Sequence, residues 1–129
     1  MLLTVNLGFG QQTHRIDDQL TKCLQDSLTT AGMANCEWAT YQAWDQQLNT
    51  YYQLLLRGLK RENQELLREA QRQWISYRDK EFELIDAYYY SEKEGTMWIP
   101  VAAGEKAGIV KTRALQLQSY YEGLQEMRE

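Results

Sequence analysis

Between Leu66 and Asp79 the chain reads Leu-Leu-Arg-Glu-Ala-Gln-Arg-Gln-Trp-Ile-Ser-Tyr-Arg-Asp, without a Gly or a Pro. Strong helix formers fill the stretch, so the backbone has no local reason to leave the helix. Leu67, Ala70, Trp74 and Tyr77 recur at the spacing of one helical face, and Leu84 and Tyr88 continue the row. Glu65 precedes Arg68, and Glu69 precedes Arg72, at a spacing where opposite charges meet along a helix. An amphipathic helix of this kind is marginal alone in water, because its stability comes from packing its apolar stripe. The rest of the chain must supply the partner.

Its 129 residues suit one domain with a single core. One Pro and eight Gly leave little room for a loop-rich all-β architecture. Ile16, Leu20, Cys23 and Leu24 share a face over about Ile16 to Ser27, with Asp17 or Asp18 as the N-cap. Leu28 to Gly32 breaks that helix, and Thr29 or Thr30 caps the next. The second helix runs from about Met33 to Arg57. Its stripe is Trp38, Tyr41, Trp44 or Asp45, Leu48, Tyr51 or Tyr52, and Leu55. Gly58 is its stop signal. The helix described first then spans about Glu62 to Tyr90. Ser91 to Thr96 is turn-like. Met97-Trp98-Ile99-Pro100 is too apolar for a free loop, so Trp98 should dock on the core. Pro100 suits the start of a last helix. Gly104 and Gly108 weaken that start, so the helix should be firm only from Ile109, with Val110, Ala114, Leu117, Tyr121 and Leu124 on its face. The expected fold is all-α: a small antiparallel bundle of about four helices, one short and N-terminal, two long and one C-terminal, forming a single domain over residues 16–129.

Residues 1–15 read differently. Met1 to Gly10 is apolar and ends in Gly-Phe-Gly, like the tail of a secretory signal at its cleavage site, although the basic part is missing. The other reading is a disordered arm. No lipobox cysteine lies in this stretch. Cys23 and Cys36 are the only cysteines and His14 the only histidine, too few ligands for a structural zinc site. The cysteines are therefore a disulfide or two free thiols; a secreted chain would carry the disulfide. The net charge of −4, with no basic stripe, argues against nucleic acid, whose phosphates need clustered Lys and Arg. No stretch is long enough to span a membrane.

A catalytic reading lacks residues. One His in a polar lead-in builds no Ser–His or Cys–His pair. No phosphate-cradling Gly-rich loop or HExxH motif is present. Asp45, Asp79, Glu81 and Glu83 could serve carboxylate chemistry, but nothing marks one as pocketed or shifted. The expectation is no enzyme, no cofactor and no metal. The aromatic rows, Trp38, Trp44, Tyr51, Tyr52, Trp74 and Tyr77, suit a core before a binding surface. Arg78-Asp79, with Asp45 and Asn49 on the other long helix, suits a polar clasp between helices in which Arg78 forks onto Asp45. The loop from Ser91 to Ile99 mixes charge, Gly and Trp98, and could insert into a partner's cleft or simply connect.

Two runs carry a resemblance. Trp44-Asp45-Gln46-Gln47-Leu48-Asn49-Thr50-Tyr51, downstream of Cys23 and Cys36, is followed by Ala70-Gln71-Arg72-Gln73-Trp74-Ile75-Ser76-Tyr77-Arg78-Asp79. Together they resemble the LprI-like lysozyme-inhibitor family of small secreted bacterial proteins, over roughly Ile16 to Phe82. The resemblance implies an all-helical periplasmic or secreted domain, supports a Cys23–Cys36 disulfide, and implies inhibition of a lysozyme. Phe82 stands where the family often has a further Cys, so the C-terminal half must hold by packing. The motif residues Trp44, Asp45, Leu48, Asn49, Tyr51, Gln71, Trp74, Tyr77, Arg78 and Asp79 read as fold determinants more than as an inhibitory site. Lys93, with Trp98 in the same loop, is then the candidate for meeting an enzyme's catalytic acids. The alternative is a periplasmic interaction or structural module with another protein partner, its own copy included, as a homodimer.

Overall fold

The computed structural model describes residues 13–128. Four α-helices hold nearly all of them: α1 (Arg15–Gln25), α2 (Thr30–Gly58), α3 (Arg61–Asp86) and α4 (Trp98–Arg128). A π-helical stretch, Ala87–Lys93, continues α3. The fold is the expected all-α bundle. No described helix is long and apolar enough to cross a membrane. The expected signal remnant or arm over residues 1–15 falls mainly outside the described residues.

The helix starts are set by caps. Thr29 Oγ1 accepts the Gly32 N–H at 2.9 Å, as its residue type predicts. At α1 the cap is His14, not Asp17 or Asp18: its Nδ1 accepts the Ile16 N–H at 3.0 Å. The two aspartates lie in the first turn instead, where the helix dipole favours negative charge. His14 is thus part of the folded domain, contrary to the polar lead-in expected from sequence.

Consecutive helices run antiparallel, which makes α2 and α4 parallel: Glu37 lies over Gly104, Tyr51 beside Tyr121, and Gly58 beside Leu124. This diagonal pair is the most closely packed in the molecule. Small residues permit it. Ala102, Ala107 and Ala114 are buried with Val110 and Leu117 on α4, against Cys36, Thr40, Trp44, Leu48 and Leu55 of α2. At Gly104 a β-carbon would collide with the Glu37 carboxylate. The last helix is accordingly regular from Trp98 and not only from Ile109. The glycine that weakens helix propensity there allows the close approach.

The α3 helix packs on this pair through longer side chains. Leu67, Gln71 and Ile85 are buried, followed by Tyr89 in the π-helical stretch, with Trp74, Arg78 and Phe82 half-buried between them. The expected row is therefore rotated. Leu67 and Trp74 face the core, but Ala70, Tyr77, Leu84 and Tyr88 are exposed, Leu84 at 59 %. Apolarity alone prefers Tyr77 to Arg78, yet Arg78 lays its guanidinium 5.5 Å from the Trp74 ring centre and 6.0 Å from that of Phe82. A long cationic side chain covers aromatic surface as an apolar one would. On α2, Trp38 is likewise exposed, stacked on Tyr41 at 4.8 Å. Trp98 does dock, against Ile85, Tyr89 and Ala102.

Cys23 and Cys36 form a disulfide with Cα atoms 5.8 Å apart, tying the end of α1 to the start of α2. Replacing both with Ala should lower the unfolding free energy by about 3 kcal/mol, from loop-closure entropy restored to the unfolded chain. Urea melts of the two proteins check this; a loss well below 1 kcal/mol would assign α1 to packing alone.

Burial against α4 raises the Glu37 carboxyl above its ordinary value. The folded state therefore favours the protonated acid, and the contribution is unfavourable above the raised value and relieved as pH falls through the ordinary one. Glu37→Gln should be more stable than the parent at neutral pH, and the difference should vanish on acidification. Paired melts at pH 7 and below pH 4 decide it.

Candidate functional site

At the end of α3 the chain changes from α to π geometry over Ala87–Lys93 and then turns. The turn is fixed by two residues with positive φ, Glu94 at 57° and Gly95 at 118°. Gly95 suits its position because side chains rarely adopt that φ. Glu94 is a strained conformer of the kind that persists only where surrounding contacts enforce it. Those contacts are present: the Glu94 N–H bonds to the Tyr89 carbonyl at 3.2 Å, and the Trp98 N–H to that of Gly95 at 3.3 Å. Tyr89 itself is anchored. Burial, and then a hydrogen bond with Glu105, push its phenol upward.

The turn presents Lys93. Its ammonium lies 4.4 Å from the Trp98 ring centre and 5.4 Å from that of Tyr88. Trp98 is in turn 5.6 Å from Tyr89, whose ring meets Tyr88 edge-on at 4.9 Å. Tyr90, Met97 and Ile99, close to Lys93 in sequence, are all exposed, Met97 at 65 %. Three other cations also sit over rings, and each has a carboxylate. Arg78 pairs with Asp79 at 2.8 Å, Lys106 with Asp86 at 2.6 Å, and Lys111 with Asp17 at 2.7 Å. Lys93 has no carboxylate within ion-pair distance among the described residues.

The two family-like runs lie elsewhere. Trp44 and Leu48 are core, and the Trp44 ring meets that of His14, tilted by 45°, at 4.5 Å. Its indole N–H is buried with no partner among the described residues. Tyr51 packs on Tyr121 at 6.0 Å. Gln71 is buried and accepts the Arg113 Nε–H at 3.0 Å, bridging α3 to α4. The expected clasp between Arg78 and Asp45 does not form: Nε and Nη2 of Arg78 both donate to Oδ1 of its neighbour Asp79, at 3.0 and 2.8 Å. Stacking between Trp74 and Phe82 keeps the guanidinium on its own helix. Asp45 is half-buried, while Asn49 and Tyr77 are exposed.

Of the residues singled out from sequence, the structure brings Lys93 and Trp98 together and leaves the motif residues spread along the bundle. The place of Tyr88 beside Lys93, and the exposure of Tyr90, Met97 and Ile99, escaped sequence reading. Their signal was present in the three consecutive tyrosines before Lys93 and the apolar segment after it. Among the described residues no three His, Cys, Asp or Glu side chains come together as a metal centre would need. No curated protein and no solved structure matches the chain significantly. The model of one family, described as lysozyme inhibitor LprI, matches residues 21–117. That match takes in the disulfide, α2, α3, the Lys93 turn and most of α4, and the chain belongs to the LprI lysozyme-inhibitor family.

Proposed function

We propose that the chain is a periplasmic or secreted, non-catalytic inhibitor that binds a lysozyme through the turn around Lys93. The carrying observation is that cation: held over Trp98 and Tyr88, unpaired among the described residues, and in a segment whose Tyr90, Met97 and Ile99 are exposed. Glycosidases of this kind use two carboxyl groups flanking the scissile bond, so their clefts offer a lysine two acidic partners. Tyr90, Met97 and Ile99 would supply the apolar contact that excludes water around such a pair. The chain's net charge of −4 would speed encounter with a basic enzyme, acting mainly on the association rate. The disulfide supports an oxidising compartment.

A second reading, self-association or another protein partner, draws on the exposed row Leu66, Tyr77, Leu84 and Tyr88 along α3 and its π-helical continuation. Such a run of apolar side chains suits a partner surface. A doubled mass in light scattering would favour it.

The test is an inhibition titration of the oxidised protein against lysozymes of several structural classes, at low and physiological salt. The parent should inhibit one class saturably and less well as salt rises, because screening shortens the reach of charge. Lys93→Ala should weaken inhibition at least tenfold, about 1.4 kcal/mol, with an unchanged helical spectrum. Met97→Ala, at a position with little packing to lose, should weaken it less. Full inhibition by Lys93→Ala would move the contact off this turn, and no inhibition of any lysozyme would favour the second reading.

A further inference from the structure

A groove of about 370 Å³ is lined by residues of α3 and α4 and by Leu55 and Leu59 at the end of α2. Leu55, Leu66, Leu67 and Leu124 line it, with Tyr120 and Arg113 at its wall. Leu66 is 67 % exposed and Tyr120 54 %, so the apolar lining is open to solvent. Asn63 and Arg113 are the polar lining residues, and Arg113 carries the charge. Its Nε donates to Gln71 Oε1 at 3.0 Å and its Nη1 to Gln116 Oε1 at 2.6 Å. Both acceptors are neutral amides, and no carboxylate lies within ion-pair distance of the guanidinium among the described residues. A guanidinium has five N–H donors in a planar fork, so donors remain for a carboxylate.

We propose that this groove is a binding site for a monocarboxylate with an unbranched apolar tail, the tail lying along the leucines and the carboxylate on Arg113. The volume and lining are those of small-molecule sites: largely apolar, with one placed charged group that sets orientation. The charge argument specifies the head group. Arg113 is half-buried, and loss of hydration depresses its pKa. Without a counter-ion, that burial is a cost; an incoming carboxylate would offset it with charge-assisted hydrogen bonds. The apolar argument specifies the tail, since covering exposed leucine surface is favourable in proportion to area. The site is remote in sequence from the Lys93 turn and shares no residue with it.

The probe is decanoate, titrated calorimetrically into the intact oxidised protein below its micelle-forming concentration. The expected result is saturable one-to-one binding, weakened at least tenfold by Arg113→Gln and at least tenfold when decanol replaces decanoate. Arg113 also holds Gln71, so Arg113→Gln could disturb α3. Ala70→Trp, which fills the groove from an exposed position on α3, provides the independent arm and should abolish binding while the helical spectrum is kept. Absence of saturable decanoate binding would overturn the proposal. So would equal binding of decanol, or decanoate binding unaffected by Ala70→Trp. Lysozyme inhibition by Ala70→Trp should match the parent, which separates this site from the turn at Lys93.

Discussion

The close contact of α2 with α4 is the constraint on which the remaining structure depends. These are parallel helices, related across the bundle and not along the chain, and their backbones can approach only where side chains are small. Ala102, Gly104, Ala107 and Ala114 supply that surface on α4. The large residues then lie on the flanks: Trp44, Leu48 and Leu117 fill the space beside the contact and are almost completely buried. Leu117→Ala or a bulky residue at Ala107 would attack the same contact from opposite directions, through a cavity or through overpacking. The α1 helix has little core of its own, with Ile16 its one buried residue, and the disulfide holds its far end to α2.

With the diagonal pair closed, α3 cannot sink between its neighbours and rests on them through long side chains. Grooves open on both sides of it. One is apolar and faces α4; the other, lined by Asn49, Arg68 and Arg72, faces α2. The exposed apolar row of α3 follows from the same geometry. Two faces of the helix carry apolar residues, and a lightly seated helix can bury only one. Glu65, Glu69 and Arg72 form an ion network on its outer side. That network is solvent-exposed, and it keeps the helix soluble more than it holds it in place.

Helix number, type and approximate bounds were legible in the sequence because they follow from periodicity and breakers, which are local. Thr29 as a cap, Gly58 as a stop and Trp98 as a docked residue were local in the same sense. What was not legible depended on another helix. The face of α3 turned on whether Arg78 would behave as a charge or as a cover for Trp74 and Phe82, and only the neighbouring rings decide that. Gly104 read as a helix weakener until Glu37 of α2 was seen to lie over it. His14 read as part of a polar lead-in because its contact with Trp44 joins segments thirty residues apart in sequence. The candidate site was half legible. Lys93 stood out as a cation in an odd loop, but its orientation over two rings depends on the π-helical stretch and the positive φ of Glu94, which no residue pattern announces.

Cations resting on aromatic faces recur throughout this acidic chain, and their pairing separates structural from available charge. Arg78, Lys106 and Lys111 each combine a ring with a carboxylate, so their charge is spent within the fold and their stems act as cover. Lys93 has the rings alone, and Arg113 has only neutral amides. In a domain with more acidic than basic residues, a cation left without a nearby carboxylate is not explained by a shortage of acids. Glu92 and Glu94 flank Lys93 in sequence, yet the turn directs its ammonium onto Trp98 instead. The strain at Glu94 is therefore tied to the presentation of Lys93: relaxing the turn would remove the backbone geometry that sets the lysine over its rings. Orientation fixed before binding lowers the entropy lost when a partner is met. A lysine already oriented over aromatic faces would have less freedom to lose on meeting a carboxylate than a flexible one of equal charge.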